Sequence, residues 1–285
     1  MMHRREFVAL AAAAATAHAA RVGPGKGTLI VIGGGDLDTV ILQRFLAAAG
    51  GPDAPVVFVP TAGDKESYAA GDASANFLKR AGCRNLEILH TRDRREADSE
   101  PFAARVRRAR GVFFGGGRQW RLVDSFLGTR TQREFDAVLR RGGVIAGTSA
   151  GATILGSYLV RGAREGNTIM MAPGYERGFA YLRRAAIDQH LLRRNRQNDL
   201  VAVIERHPEL LGIGIDENTA IVVEGDRFEV VGASKVAIYD RKFKPAETAG
   251  ARYYFLNPGD RFDLALRRLV QTGTARKSET PAGRG

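Results

Sequence analysis

From Thr28 onward the chain alternates short, almost wholly apolar runs with longer amphipathic ones. TLIVIGGG (28–35), VVFVPTAG (56–63), LEILH (86–90), GVFFGGG (111–117) and GGVIAGTSAG (142–151) read as strands. Between them DTVILQRFLAAAG (38–50), SANFLKRAG (74–82) and TQREFDAVLRRG (131–142) carry the spacing of helices with one buried face. Strands that are apolar on every position belong in a parallel sheet covered on both sides. The pattern therefore predicts an α/β fold with a doubly wound, mostly parallel sheet. In the second half LGIGID, TAIVVEG, RFEVVG and KVAIYD follow one another closely and predict an antiparallel extension. No linker or composition break divides residues 21–271, which read as a single domain. Residues 272–285, rich in Gly, Ser, Thr, Pro and charge, read as a disordered tail.

Residues 1–20 have the layout of an export signal. His3, Arg4 and Arg5 form a basic start, FVALAAAAATA an apolar stretch, and Ala17-His18-Ala19 a small-residue cleavage site. Arg4-Arg5 also fits a twin-arginine signal. The expected location is periplasmic or extracellular. The apolar stretch falls short of the ~20 residues of a spanning helix, so no membrane association is expected once the signal is removed.

The 285 residues hold 43 Lys and Arg against 31 Asp and Glu, a formal charge of +12. Such a surface attracts anions and carboxylate-bearing substrates. Aromatic residues make up 8% and do not cluster with the basic ones, so no nucleic-acid partner is expected. Cys83 is the single cysteine, which excludes an intramolecular disulfide and a thiolate metal cluster. It reads as a small buried residue. No metal or cofactor is expected.

The chemistry concentrates on GTSAG (147–151), between the apolar run GGVIA and ATILGSYLV, which reads as a helix. This is the layout of a nucleophile elbow, with Ser149 presented on a strained strand-to-helix turn. A serine hydroxyl needs a general base, and histidine is the commonest. Of the five histidines, His3 and His18 lie in the signal, His90 ends a strand before a charged loop, and His207 precedes Pro208. His190, in IDQHLLRR, is preferred. Asp188, Gln189 and His190 are three consecutive hydrogen-bonding residues at a strand end, costly to bury unless they face a polar site. The orienting acid is Asp216 or Glu217, both directly after GIGI. The order Ser, His, acid differs from that of α/β-hydrolases. Oxyanion donors are the amides of Ala150 and of Gly116 or Gly117 in FFGGGRQW, with Gln119 on the same edge. Neither this glycine run nor Gly33-Gly34-Gly35-Asp36 completes a P-loop or a GxGxxG motif, which argues against a nucleotide site.

GTSAGA, IDQH followed by arginines, GIGIDENTAIVV, FFGGG..Q and the closing GDRFDL stand in the order found in the cyanophycinases, within the serine peptidase family that also contains dipeptidase E. The chain resembles that family over roughly residues 28–264. The resemblance implies a flavodoxin-like sheet akin to class I glutamine amidotransferases, and Ser149, His190 and Glu217 as nucleophile, base and orienting acid. It implies an acyl-enzyme exopeptidase that releases β-Asp-Arg dipeptides from cyanophycin, a poly-aspartate bearing arginine on each β-carboxyl. Gln119, Asp188, Gln189, Arg194 and Arg196 are then expected to bind substrate, the arginines on a helix face LLRRNRQNDL, and a homodimer is the suggested assembly. Arg118 stands where the family carries an acidic or amide residue, and Asp199 where it carries a third arginine. Both changes alter charge at the expected pocket rim, leaving an α-aspartyl dipeptidase as the alternative activity and a non-catalytic basic binding protein as the alternative class.

Overall fold

A computed structural model describes residues 21–245, 248 and 250–273. The expected export signal and residues 274–285 of the expected tail lie outside the described residues. The first half runs β1 (Thr28–Ile32), α1 (Thr39–Ala49), β2 (Val56–Val59), α2 (Asn76–Arg80), β3 (Leu86–Ile88), α3 (Arg94–Ala97), α4 (Glu100–Ala104), β4 (Gly111–Phe114), α5 (Gln119–Phe126), α6 (Arg130–Arg140) and β5 (Val144–Thr148). The second half adds α7 (Ala150–Thr153), β6 (Gly156–Tyr158), β7 (Leu182–Gln189), α8 (Asp199–Arg206), β8 (Leu211–Ile215), β9 (Thr219–Glu224), β10 (Arg227–Gly232), β11 (Val236–Tyr239), β12 (Tyr254–Leu256), β13 (Arg261–Asp263) and β14 (Arg268–Gln271).

The helices start and stop where local chemistry dictates. Asp38 caps α1 by accepting from Val40 N at 2.8 Å, and Gly50 ends it in the left-handed conformation. Thr129 caps α6, whose Thr131, Phe135, Val138 and Leu139 form one buried stripe. The strands alternate between two cores. Ile30, Ile32, Phe58 and Phe113 pack with Phe45 of α1 and Leu78 of α2. Leu29, Val31, Val57, Val112 and Phe114 face the other way, toward Phe126 of α5, Phe135 of α6 and Ile187 and Ile213 of β7 and β8. Burial on both faces is why these runs carry no polar position.

Two sheets result. The larger has nine strands in the order β14-β13-β10-β9-β1-β5-β4-β2-β3, and the smaller five in the order β12-β11-β8-β7-β6. Strands β1 to β5 are parallel, and β9 joins β1 antiparallel, followed by β10, β13 and β14. The mixed α/β fold with a parallel core agrees with the pattern in the sequence. The antiparallel extension does not stay in one piece. TAIVVE and RFEVVG extend the large sheet, whereas LGIGI runs parallel to β7 in the small sheet and carries VAIY at its other edge. The chain changes sheets at Asp216–Asn218, where Asn218 has φ 55°.

ATILGSYLV also departs from its helical reading. Leu155 N donates to Ala152 O at 3.1 Å and closes α7 after one turn; GSY then pairs with β7. Gly156 permits that approach, since a Cβ on it would stand 2.9 Å from Ala185 O of β7. Tertiary pairing outweighs the local helical pattern, helped by the strand preference of Tyr and Val. The expected helix LLRRNRQNDL begins only at Asp199, because Asp216 Oδ1 accepts from Leu192 N at 2.9 Å and Arg193 N at 3.0 Å and holds the preceding residues in a turn.

Candidate active site

Ser149 follows β5 directly, with φ 54° and ψ −117°. Such backbone costs about 1–3 kcal/mol and persists only where surrounding contacts enforce it. They do so here. Ser149 N donates to Ile32 O at 3.1 Å, while Ser149 O accepts from Ala152 N and Thr153 N. The glycines of GTSAG are required by close packing: a Cβ on Gly147 would lie 2.0 Å from Gly151 O, and one on Gly151 2.3 Å from Phe114 O.

His190 directly follows β7 with φ 54°, its amide donating to Gly33 O at 2.8 Å. Its Nε2 lies 2.9 Å from Ser149 Oγ, and its Nδ1 2.6 Å from Glu217 Oε1. Glu217 sits in the turn between the sheets, so the structure selects it over Asp216 as the neighbour of the imidazole. Asp216 is engaged with Leu192 N, Arg193 N and Ser234 Oγ. Burial lowers the His190 pKa, against the opposing pull of the Glu217 carboxylate. A neutral ring whose Nδ1–H donates to Glu217 keeps the Nε2 lone pair on the serine proton. The other two described histidines lie elsewhere: His90 bonds Thr61 Oγ1 and Glu66 O, and His207 packs on Tyr158.

The turn Gly33-Gly34-Gly35, which the sequence offers only as an incomplete nucleotide motif, is the scaffold of this line. A Cβ on Gly34 would stand 2.2 Å from His190 Cε1, and one on Gly35 2.8 Å from Glu217 Cβ. Gly33 O and Gly34 O accept the amides of His190 and Asn218. The readable signal was position: three glycines end a strand on the same sheet edge as Ser149.

Gly116 lies against the serine, its hypothetical Cβ 3.2 Å from Ser149 Cβ. Among the described residues, the amides of Ala150, Gly116 and Gly117 have no protein acceptor. Gly117 (φ 139°) turns toward Ala62 O, which leaves no room for a side chain. Gln119 is buried in the first turn of α5, and its Oε1 has no partner among the described residues.

The remaining expected substrate residues are placed differently. Asp188 is fully buried and both its oxygens accept from Arg161 at 2.7 Å, which removes it from contact with substrate. Arg161, itself 1% exposed with φ 60°, also donates to Asp199 Oδ2 at 2.5 Å and Asn167 O at 2.6 Å. Nothing in the local sequence marks this arginine, because all three partners are non-adjacent. Gln189 and Arg196 are buried together, Arg196 Nη1 donating to Gln189 Oε1 at 2.7 Å and Gln189 O at 3.1 Å. Arg194 is exposed on the turn after His190, whose carbonyl accepts its amide. Arg118 is not a loose rim charge; its Nη2 donates to Ala163 O at 2.8 Å and Arg164 O at 3.2 Å.

A serine–imidazole–carboxylate line with its imidazole buried, beside unengaged backbone amides, is the equipment of a hydrolase acting through a serine. Residues 29–231 match the sequence profile of peptidase family S51. A cyanophycinase of Geminocystis herdmanii is 31% identical over 257 residues, 84% of this chain and 94% of its own. One from Trichormus variabilis is 31% identical over 268 residues, covering 86% and 88%. In fold, the chain resembles a peptidase from an acI-B1 Actinobacterium, with TM-score 0.64, 23% identity and coverage of 84% of this chain and 97% of the other. The chain belongs to peptidase family S51 and is a serine-type peptidase.

Proposed function

We propose that this protein is an exported exopeptidase that hydrolyses cyanophycin to β-Asp-Arg dipeptides through an acyl-enzyme on Ser149. The observation that carries the reading is the unbroken line Ser149 Oγ, His190, Glu217, with contacts of 2.9 and 2.6 Å. His190 Nε2 takes the serine proton as Oγ bonds to the aspartyl carbonyl carbon. The Nδ1–H stays on the ring and donates to Glu217 Oε1, which stabilises the imidazolium. The oxyanion is held by the amides of Ala150 and Gly116, each donor of this kind contributing about 10²–10³ in rate. The imidazolium then protonates the leaving amine. Water, deprotonated by His190 in its turn, hydrolyses the ester and frees Ser149.

The substrate is supported by the two relatives named above. Export is supported by the composition of residues 1–20. Incubation of residues 21–285 with insoluble cyanophycin, followed by mass analysis of the supernatant, should show β-Asp-Arg. Ser149→Ala should lower release by about 10⁴ or more while leaving the melting temperature within a few degrees. Undiminished release by Ser149→Ala rejects the acyl-enzyme. Turnover of Asp-X dipeptides with none of the polymer would instead assign an α-aspartyl dipeptidase. Wild-type inertness to a serine-reactive phosphonate would point to a non-catalytic binding protein.

A further inference from the structure

A cavity of about 580 Å³ opens beside Ser149, at the carboxyl ends of β2, β4 and β5. None of its lining comes from β7 or from the arginine-bearing turn after His190. Gly116 and Thr148 are part of its lining, and a Cβ on Gly116 would lie 3.7 Å from Ser149 Oγ. A group held in the cavity is therefore attached to, or adjoins, the carbonyl under attack. The volume is that of a small-molecule site, in the crevice where open α/β sheets bind ligands.

Its chemistry is specific. Phe58, Tyr68 and Phe77 supply an aromatic wall, with Phe77 edge-on to Phe58 at 5.6 Å. Tyr68 packs edge-on against His90 at 4.8 Å, and the Lys65–Asp72 ion pair at 2.8 Å braces the loop that carries it. Asp36 and Arg80, both exposed, place one negative and one positive charge in the lining. Ser74 Oγ is buried there without a partner among the described residues. An apolar occupant would satisfy the wall and leave both charges and the hydroxyl unmatched. A zwitterionic branch with a flexible apolar stem matches all of them.

We propose that this cavity receives the arginyl branch of the aspartyl unit at the scissile bond, with the guanidinium at Asp36 and the aromatic wall and the free arginyl carboxylate at Arg80 and Ser74. Arginine joined through its amino group to a β-carboxyl keeps both those charges, and guanidinium groups favour aromatic faces as well as carboxylates. The assignment rests on the cyanophycin reading and deepens it. Arg80 and Asp36 act as specificity determinants, since neither touches the line from Ser149 to Glu217.

The test uses three short oligomers: one bearing arginine, one bearing neutral citrulline in its place, and one bearing argininamide, which lacks the carboxylate. Asp36→Asn should raise KM for the arginyl oligomer about three- to tenfold, the scale of partly exposed charge contacts, with kcat within about twofold. That increment should vanish on the citrulline oligomer. Arg80→Ala should behave alike, its increment vanishing on the argininamide oligomer. Lys79→Ala, exposed on the same helix but outside the lining, should change neither constant. Unchanged KM in both cavity variants, or equal increments on all three oligomers, overturns the assignment while wild-type turnover of cyanophycin leaves the activity standing. Should the wild type ignore the polymer and cut Asp-X dipeptides with a KM raised by Phe77→Ala, the cyanophycin reading and the arginyl assignment fall together.

Discussion

The two flanks of Ser149 differ in what their polar groups do. Toward β7, Asp188, Arg161, Asp199, Gln189 and Arg196 use one another's hydrogen-bonding capacity, and four of the five are more than nine-tenths buried. Toward β2, Ser74 Oγ is left without a partner and Asp36 and Arg80 face an open volume. Polar residues adjoining the base in sequence thus hold the strand end that presents it. The space for a ligand is lined by residues spread over the chain from Gly35 to Thr148.

The sharpest way to break this contrast is Arg161→Ala. It leaves Asp188 charged and unpaired in the core, which should cost about 3–5 kcal/mol in denaturant unfolding. Arg161→Ala combined with Asp188→Leu should recover most of the loss, because the buried pair then disappears as a unit. A loss below 1 kcal/mol for the single variant would show that the flank is not self-satisfying. Next in size is Gly34→Ala. The added methyl meets the imidazole at 2.2 Å, so kcat/KM should drop by about a hundredfold or more, with a smaller loss of stability. Unchanged kinetics would mean that the glycine turn does not set the ring position.

The smallest effect is in pH. Burial lowers the His190 pKa below its usual 6.5, and on the proposed mechanism the neutral ring accepts the serine proton. The acid limb of kcat/KM should therefore fall below pH 6.5, with activity rising through it and flat above. The same depression means that the unfolded chain binds the proton more readily than the folded one. His190 thus costs stability as pH falls below 6.5, most once pH passes below its folded value. A limb above pH 6.5 would assign the titration to another group.

Much of this was legible locally. The apolar runs marked β1, β2, β4 and β5 because burial on both faces excludes polar positions, whereas the edge strand β3 exposes Glu87; GTSAG marked Ser149 because only glycine fits the close approaches on either side. His190 emerged by elimination and by its polar neighbours. Whether Asp216 or Glu217 met it was not legible from spacing, since the chain changes sheets between them and Asn218. Arg161 was invisible for a related reason: its partners lie 27 and 38 residues away. The strand runs from Leu211 to Tyr239 showed their alternation but not their sheet, which is fixed by long-range pairing.

The position of Glu217 at that crossing has a consequence for assembly. Ser149 is carried by the large sheet, His190 by the small one, and Glu217 by the chain that joins them. A partly folded chain with either sheet formed alone has no serine–imidazole contact. The serine–imidazole contact therefore arrives only with docking of the two sheets, and on the proposed mechanism so does reactivity.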